Sequence, residues 1–279
     1  MENTEYKFDP KEAYDKIRAG MLKWANDTNC AGFILGISGG KDSTVVAALL
    51  TSIFGSTHVY GLMLPNGEQK DISDAEYVID ALNIYGRKIN IGEAFKSIMG
   101  QIDYKYEERV VRSDYAINLP PRLRMATLFA WGQRINARVI NTDNLTETML
   151  GYSTFGGDNF GCFAPIGQLT VQEVKALGHY IVDNELRLYS EERKELHNLI
   201  EKTPADGLQG LSDEDNLGIM YSAVDAFIRE NKGSPELKHK VLEYYEKNKF
   251  KHEIVQLPTV TFDYPNHIVR CYNEIQSAD

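Results

Sequence analysis

The sequence of 279 residues has few cysteines, and they are far apart. Cys30, Cys162 and Cys271 form no C-x-x-C pair, which argues against a disulfide framework and gives a zinc site little support. The six histidines are scattered singly, so we expect them at surface or core positions and not as metal ligands. An odd, dispersed set of cysteines is typical of a reducing compartment, and we expect a cytoplasmic protein.

Long apolar runs and an excess of positive charge are also missing. The apolar stretch at residues 31–37 is far shorter than the ~20 residues of a spanning helix, so we expect no membrane insertion. The first residues show no basic segment followed by an apolar run, and we expect no secretory signal. A formal net charge of −10 disfavours non-specific nucleic-acid binding. It does not exclude small phosphorylated ligands, which local N–H groups can hold.

Strand-like and helix-like segments alternate along the first half of the chain. Asp9 and Pro10 predict the start of a first helix. The predicted strands cover residues 32–37, 58–64, 86–91 and 138–142; the predicted helices cover 45–54, 71–82, 92–102 and a long segment that is capped by 118–121 and runs to about 136. This alternation predicts an α/β fold, an open parallel sheet with helices on both faces. Ligands of such sheets bind beyond the carboxyl ends of the strands.

The second half of the chain is predicted to be mainly helical. A loop rich in glycine, serine and threonine covers residues 151–161, and a loop of this length is usually functional or mobile. Helices are predicted at residues 170–182, 190–201 and 213–230, and a short β-like run at 254–262 is interrupted by Pro258. Because no linker separates two parts, we expect one domain over residues 1–279, with a divergent tail from about residue 249.

The hexapeptide S-G-G-K-D-S, residues 38–43, follows the first predicted strand and precedes a helix. Its two glycines allow a tight turn that brings N–H groups against an anion, and the helix adds its positive end. Ser38 and Ser43 can donate hydroxyl hydrogen bonds to phosphate oxygens, and Lys41 adds charge. Asp42 would repel a phosphate unless it holds a Mg²⁺ ion that bridges the two. The hexapeptide therefore predicts a phosphate-binding loop, which differs from the Walker A pattern.

The same hexapeptide resembles the signature of the N-type ATP pyrophosphatases, which cleave ATP into AMP and pyrophosphate. Six further segments, in chain order, resemble the NAD synthetase family: residues 64–69 (L-P-N-G-E-Q), 118–125 (N-L-P-P-R-L-R-M), 141–147 (N-T-D-N-L-T-E), 151–158 (G-Y-S-T-F-G-G-D), 165–170 (P-I-G-Q-L-T) and 204–208 (P-A-D-G-L) with 212–218 (S-D-E-D-N-L-G). The similarity runs from about residue 10 to residue 230. The chain is too short for the glutaminase domain of larger members, so it resembles the ammonia-dependent branch.

The resemblance implies a fold, an activity and partners. The fold would be of the adenine nucleotide alpha hydrolase kind, which is Rossmann-like. The enzyme would be a ligase that amidates deamido-NAD⁺ to NAD⁺ through an acyl adenylate, with ATP and ammonia as co-substrates and Mg²⁺ as cofactor. Family members are homodimers, and we expect the same here. Two alternatives stay open: another pyrophosphatase-type ligase with a different acceptor, and a nucleotide-binding sensor that has lost turnover.

The resemblance also implies roles for particular residues. It assigns ATP binding to Gly36, Ser38, Gly39, Gly40, Lys41, Asp42, Ser43, Gln69 and Thr142. It places Mg²⁺ between the carboxylates of Asp42 and Glu147.

The acceptor side of the site is assigned in the same way. Asn118 and Arg122 are expected to bind the dinucleotide, whereas Arg124, two residues further on, faces another side of the helix. Asp158 is expected near the incoming nitrogen, where its carboxylate can take a proton from ammonium, since only neutral ammonia is nucleophilic. The expected catalytic residues are Asp158, Ser43 and Lys41.

Four positions depart from the family pattern. Val171 stands where many members have a lysine that is thought to stabilise the phosphates, and Lys175, one helical turn on, is a candidate to reach the same face. Cys162 stands in place of an aspartate near the substrate, Met63 in place of an arginine, and Ala205 in place of a serine or threonine. We interpret these changes as a divergent subfamily with compensating residues, with a weakened enzyme as the alternative.

Overall fold

The computed structural model describes residues 6–69, 72–102, 114–202 and 213–277. Its sheet has four strands: β1 (Gly32–Gly36), β2 (Val59–Met63), β3 (Tyr85–Lys88) and β4 (Ala137–Val139). They lie in the order β3-β2-β1-β4, and all three neighbouring pairs are parallel. The α/β prediction is confirmed. The strand prediction at 86–91 began one residue late and ended three late, and that at 138–142 extended beyond β4.

Helices connect and cover the strands. Their bounds are α1 (Pro10–Thr28), α2 (Lys41–Phe54), α3 (Ile72–Ala81), α4 (Gly92–Ile102), α5 (Asp114–Ile135), α6 (Leu145–Leu150), α7 (Val171–Asn184), α8 (Ser190–Glu201), α9 (Asp213–Leu217), α10 (Tyr221–Glu230), α11 (Pro235–Asn248), α12 (Phe250–Ile254) and α13 (His267–Gln276). Asp9 caps α1 as predicted, because its carboxylate accepts from the N–H groups of Lys11 and Glu12. None of the helices in the described ranges is long and apolar enough to cross a membrane.

Side chains of β1 point alternately to the two faces of the sheet. Phe33 and Leu35 join a core with α1, α2, α3, α7 and α8, whereas Ile34 joins a separate core beneath α5. A strand that is buried on both faces has a continuous apolar sequence, which is what residues 33–35 show. The predicted covering of both faces by helices is therefore confirmed.

A third core, away from the sheet, joins α6, α10, α11 and α13. Here two predictions were wrong. The helix predicted at 213–230 is two helices, separated where Gly218 adopts a φ of +61°. The β-like run at 254–262 is not a strand; α12 ends at Ile254, and Thr259 makes only an isolated bridge to Ala164. Pro258 explains the failure, since it lacks the N–H that a strand needs.

The long helix α5 begins at Asp114, four residues before the predicted cap. Pro120 and Pro121 lie inside it. Each proline lacks the N–H that would bond back to the first turn, and its ring crowds the carbonyl there. The helix nevertheless includes both residues, with two bonds fewer near its start. As a result Asn118 lies within the helix and does not cap it.

A buried ion pair joins α7, α10 and the C-terminal segment. The Arg229 guanidinium donates to both oxygens of Glu173, each at 2.7 Å, and also to the carbonyls of Gln168 and Pro265 at 2.8 Å. Both side chains are about 95% buried, with 5% and 6% exposed. Such a pair is stable only when its remaining donors are also satisfied, as they are here.

We expect Arg229→Met to lower the free energy of unfolding by about 3–5 kcal/mol, because Glu173 would remain buried without its partner. Urea denaturation at neutral pH measures the change. The control is Arg270→Met, which breaks an exposed i,i+4 pair with Glu274 and is expected to lose less than about 0.5 kcal/mol. Equal losses in the two variants would contradict the role given to Arg229.

Candidate active site

The predicted phosphate loop follows β1 at the carboxyl edge of the sheet. Gly39 has a φ of +81°, and a Cβ there would meet the Cβ of Asp74 at 2.6 Å, so this turn requires glycine. Gly36 ends β1, and Gly40 is the N-cap residue of α2. The N-terminal end of the 14-residue helix α2 therefore lies at the carboxyl edge of the sheet, where ligands of such folds bind.

The two loop serines bond to each other and to the backbone of the turn. Ser38 Oγ lies 3.1 Å from Ser43 Oγ and accepts from the Gly40 N–H at 3.1 Å. Ser43 Oγ donates to the Gly40 carbonyl at 3.1 Å. Both hydroxyls thus face the same turn, where they could exchange these bonds for phosphate oxygens.

Lys41 is almost fully buried, with 2% of its surface exposed. Its ammonium donates to Asp42 Oδ2 at 2.6 Å and lies 5.9 Å from the centre of the Tyr221 ring. Burying an ammonium is costly unless a carboxylate or an aromatic face compensates, and both are present. The charge of Lys41 is therefore held at the start of α2.

Asn144 connects the two carboxylates that are predicted to bind metal. Its amide Nδ2 donates to Asp42 Oδ1 at 3.2 Å, and its backbone N–H donates to Glu147 Oε2 at 3.3 Å. Its own Oδ1 accepts from the Glu147 N–H at 3.0 Å, which completes a capping box at the start of α6. One buried asparagine thus bonds to both carboxylates, whose role as metal ligands stays a prediction.

A third carboxylate, Asp143, adds negative charge at this edge. Burial raises the pKa of Asp143 well above its usual value, and the charges of Asp158, Glu147 and Asp42 raise it further. A cation among these groups would relieve their repulsion. No group of three or more His, Cys, Asp or Glu in the described parts of the chain is arranged to hold a metal by itself.

Two predicted acceptor residues, both in α5, contact the loop at residues 151–161. Arg122 Nε donates to the Phe155 carbonyl at 3.0 Å, and Thr154 Oγ1 donates to Asn118 Oδ1 at 2.8 Å. Arg124 Nε donates instead to the Leu64 carbonyl at 2.9 Å, so it joins α5 to the end of β2. This contact gives Arg124 a structural role.

Asp158 lies in the same loop, accessible to solvent but surrounded by protein on most sides. Its Oδ1 accepts from the Thr154 N–H at 2.5 Å. Burial raises the pKa of Asp158, whereas backbone donors and the charges of Lys251 and Arg124 lower it. The buried Asn141 fixes the loop by donating to the Asp158 carbonyl at 2.7 Å. The carboxylate is thus held close to Asp143 while still open to a small ligand.

Two other residues were predicted to bind ATP. Thr142 follows β4 and Gln69 follows β2 along the chain, and their ATP contacts stay predictions.

The departures from the family pattern can also be located. Val171 is buried at the start of α7, where its N–H donates to Thr146 Oγ1 at 3.1 Å. Lys175 does not reach this face, because its ammonium pairs with Glu201 of α8 at 2.9 Å. Cys162 and Met63 pack in the cores beside the sheet. Ala205 and the motif around it lie outside the described residues.

Sequence reasoning did not assign roles to Asn141, Asp143 or Asn144. A signal existed for Asn144, since an Asn followed three residues later by Glu, directly after a strand, is a helix-start pattern. The link from Asn144 to Asp42 could not be read from the sequence, because 102 residues separate them.

The chain is similar to known proteins in both sequence and structure. A family model described as NAD synthase matches residues 13–260. An NH₃-dependent NAD⁺ synthetase of Carboxydothermus hydrogenoformans is 30% identical over 250 residues, which cover 89% of this chain and 97% of that protein. One from Pyrococcus horikoshii is 32% identical over 77% of each chain. The solved structure of NMN synthetase from Francisella tularensis superposes with a TM-score of 0.77 at 29% identity, covering 90% of this chain and 99% of that one.

We expect Asn144→Ala to weaken the binding of a non-hydrolysable ATP analogue about tenfold in Mg²⁺, because the Asp42 carboxylate loses the Nδ2 donor and the start of α6, which carries Glu147, loses its side-chain cap. In EDTA the affinity should change much less. Isothermal titration calorimetry measures both, with Asn198→Ala as control, since Asn198 is exposed and bonds only to Glu195 among the contacts described. An unchanged affinity in Mg²⁺ would show that Asn144 is not needed to hold the pair.

Proposed function

We propose that this chain, which belongs to the NAD synthase family, amidates deamido-NAD⁺ with ammonia in an ATP-dependent reaction that releases AMP and pyrophosphate. The observation that carries the proposal is the meeting of three elements at one edge of the sheet. They are the phosphate loop after β1, the carboxylates joined by Asn144, and the loop 151–161 with its acceptor residues. Acyl adenylation followed by nitrogen transfer needs all three within reach of one another.

The first half-reaction is adenylation of the acceptor. The nicotinate carboxylate attacks the α-phosphorus of ATP; a P–O bond forms to the carboxylate, and the bond to pyrophosphate breaks. Ser38 and Ser43, the loop N–H groups and Lys41 bind the phosphates and stabilise the charge that develops on the departing pyrophosphate. Gln69 and Thr142 contact the rest of ATP. Asn118 and Arg122 bind the acceptor nucleotide and orient its carboxylate.

Asp42 and Glu147 would hold Mg²⁺. Two carboxylates suit this hard cation, which binds oxygen ligands that commonly come from the protein, from substrate phosphates and from water. When bound, it neutralises phosphate charge during adenylation. Asp42 also accepts from the Lys41 ammonium and from Asn144. The same carboxylate would therefore contact both positive charges of the site, the Lys41 ammonium and the Mg²⁺ ion.

The second half-reaction transfers nitrogen. Asp158 takes a proton from ammonium, and the neutral ammonia attacks the acyl carbon. A C–N bond forms while the C–O bond to AMP breaks, and the nitrogen gives up a further proton to solvent. Asp158 is exposed in the loop, which supports this role because ammonium must reach its carboxylate.

A second acceptor is favoured by one specific observation. The solved structure that superposes with a TM-score of 0.77 is an NMN synthetase. The corresponding acceptor here would be nicotinate mononucleotide, which has the same reactive carboxylate but lacks the adenylate half of deamido-NAD⁺. The chemistry at Ser38, Asp42 and Asp158 would be unchanged.

Release of pyrophosphate tests the proposal. The purified protein is given ATP, Mg²⁺ and ammonium with either deamido-NAD⁺ or nicotinate mononucleotide, and kcat/KM is compared. A preference for deamido-NAD⁺ supports the proposal, and a preference for the mononucleotide supports the second acceptor. ATP binding without pyrophosphate release with either one would favour a nucleotide sensor.

Three further properties belong to the proposal. The protein would act as a homodimer, as the family resemblance implies, and residues 1–279 would form one catalytic domain. It would work in the cytoplasm, which agrees with the free state of all three cysteines. Light scattering of the purified protein tests the oligomeric state.

We expect Asp42→Asn to lower the Mg²⁺-dependent rate of pyrophosphate release by about 100-fold or more, because the metal loses a charged ligand and Lys41 loses its ion pair. Steady-state kinetics over a range of Mg²⁺ concentrations measures the effect. Asp27→Asn, on the exposed surface of α1, is the control and should leave the rate unchanged. A rate that stayed at the wild-type value would remove Asp42 from the metal site.

A further inference from the structure

The C-terminal segment contacts the loop that carries Asp158. Lys251, in α12, donates from its ammonium to the carbonyls of Gly151 at 2.6 Å and Ser153 at 2.8 Å. Asn248, the last residue of α11, donates to the Leu150 carbonyl at 3.3 Å. The C-terminal segment, which we expected to be a divergent tail, thus donates to three backbone carbonyls at the start of the loop.

Two further contacts make this approach close. The rings of Phe155 and Phe250 lie 6.0 Å apart between centroids. Gly151 has a φ of +64°, and a Cβ at this position would lie 2.1 Å from the Cβ of Asn248. Only glycine allows the two segments to come this near. The α11–α12 junction is therefore fitted to the loop by shape as well as by hydrogen bonds.

The positive charge of Lys251 affects the protonation of Asp158. Lys251 is half-buried, and burial lowers the pKa of its ammonium, whereas the carboxylates of Asp158 and Asp143 raise it. Burial around Asp158 favours its neutral acid, which cannot take a proton from ammonium. The other cation that favours the ionised form is Arg124, whose Nε is engaged with the Leu64 carbonyl. Lys251 thus lies where its positive charge holds the loop and favours the ionised form of Asp158, against the burial that favours the neutral acid.

We propose that Lys251 is a positioning residue for the nitrogen-transfer step, which it serves by anchoring the loop 151–161 and stabilising the ionised carboxylate of Asp158. The part of the proposal that concerns Asp158 rests on the proposed function, in which Asp158 accepts a proton from ammonium. The anchoring part rests only on the contacts of Lys251 with Gly151 and Ser153. The adenylation residues make no described contact with Lys251, so the two half-reactions should respond differently to its loss.

Lys251→Met and Lys251→Arg test the proposal, with Lys247→Met as a matched control on the exposed last turn of α11. Exchange of labelled pyrophosphate into ATP, with deamido-NAD⁺ and no ammonium, reports adenylation alone. Amide formation over a range of ammonium concentrations reports nitrogen transfer. We expect Lys251→Met to keep exchange within about twofold of wild type while its kcat/KM for ammonium falls at least about tenfold. Lys251→Arg should recover most of this loss, because it keeps the charge and the donors.

Hydrogen–deuterium exchange of the full chain provides a readout that does not depend on activity. Amides of residues 151–161 should exchange at least about fivefold faster in Lys251→Met than in wild type or Lys247→Met. Equal loss of both half-reactions, or no loss in either, would overturn the positioning role. Unchanged exchange in the loop would overturn the anchoring. If the wild-type protein used neither nicotinate acceptor, the proposed function would fail, and the hydrogen-exchange result would still decide whether Lys251 anchors the loop.

Discussion

The side chain of Asn144 holds together the parts of the site that the phosphate chemistry requires. Its amide reaches Asp42 at the start of α2, while its backbone and carbonyl oxygen close a capping box with Glu147 at the start of α6. This arrangement is possible because β1 and β4 are neighbours, with Ile34 opposite Val139, so that the helices after both strands begin side by side. The side chain of one asparagine thus bonds to one carboxylate and its backbone N–H to another, although the two carboxylates would otherwise repel each other.

The edge of the sheet collects acidic groups, and the surrounding cations come from three different elements. Lys41 belongs to α2, Arg124 to α5 and Lys251 to α12. Each cation has polar partners that hold it in a partly or fully buried position. Each cation also lies near a carboxylate. The site can therefore hold several carboxylates, some to bind a metal and one to accept a proton, because nearby positive charges compensate them. The loop 151–161 is held from α5 on one side and from the α11–α12 junction on the other.

The fold was largely predictable from local patterns. An apolar segment bounded by glycine predicted β1, since a parallel strand buried on both faces must be apolar throughout. Predictions failed where a local pattern competed with tertiary contacts. The run around Pro258 had β-like residues but no neighbouring strand with which to pair along its length. The helix predicted at 213–230 was broken at Gly218, whose positive φ ends α9 in a turn. The start of α5 was misplaced because prolines were read as a cap although they lie inside the helix.

The sequence by itself determined the phosphate loop, because its turn, its hydroxyls and its helix start lie within six consecutive residues and need no distant partner. It also indicated Glu147 and Asp158, through motifs that resemble a known family. The tertiary structure alone decided how these groups meet. The bond from Asn144 to Asp42 spans 102 residues, and that from Lys251 to Gly151 spans 100. Contacts of this kind depend on which strands are neighbours and which helices pack together, and no local pattern of residues specifies that.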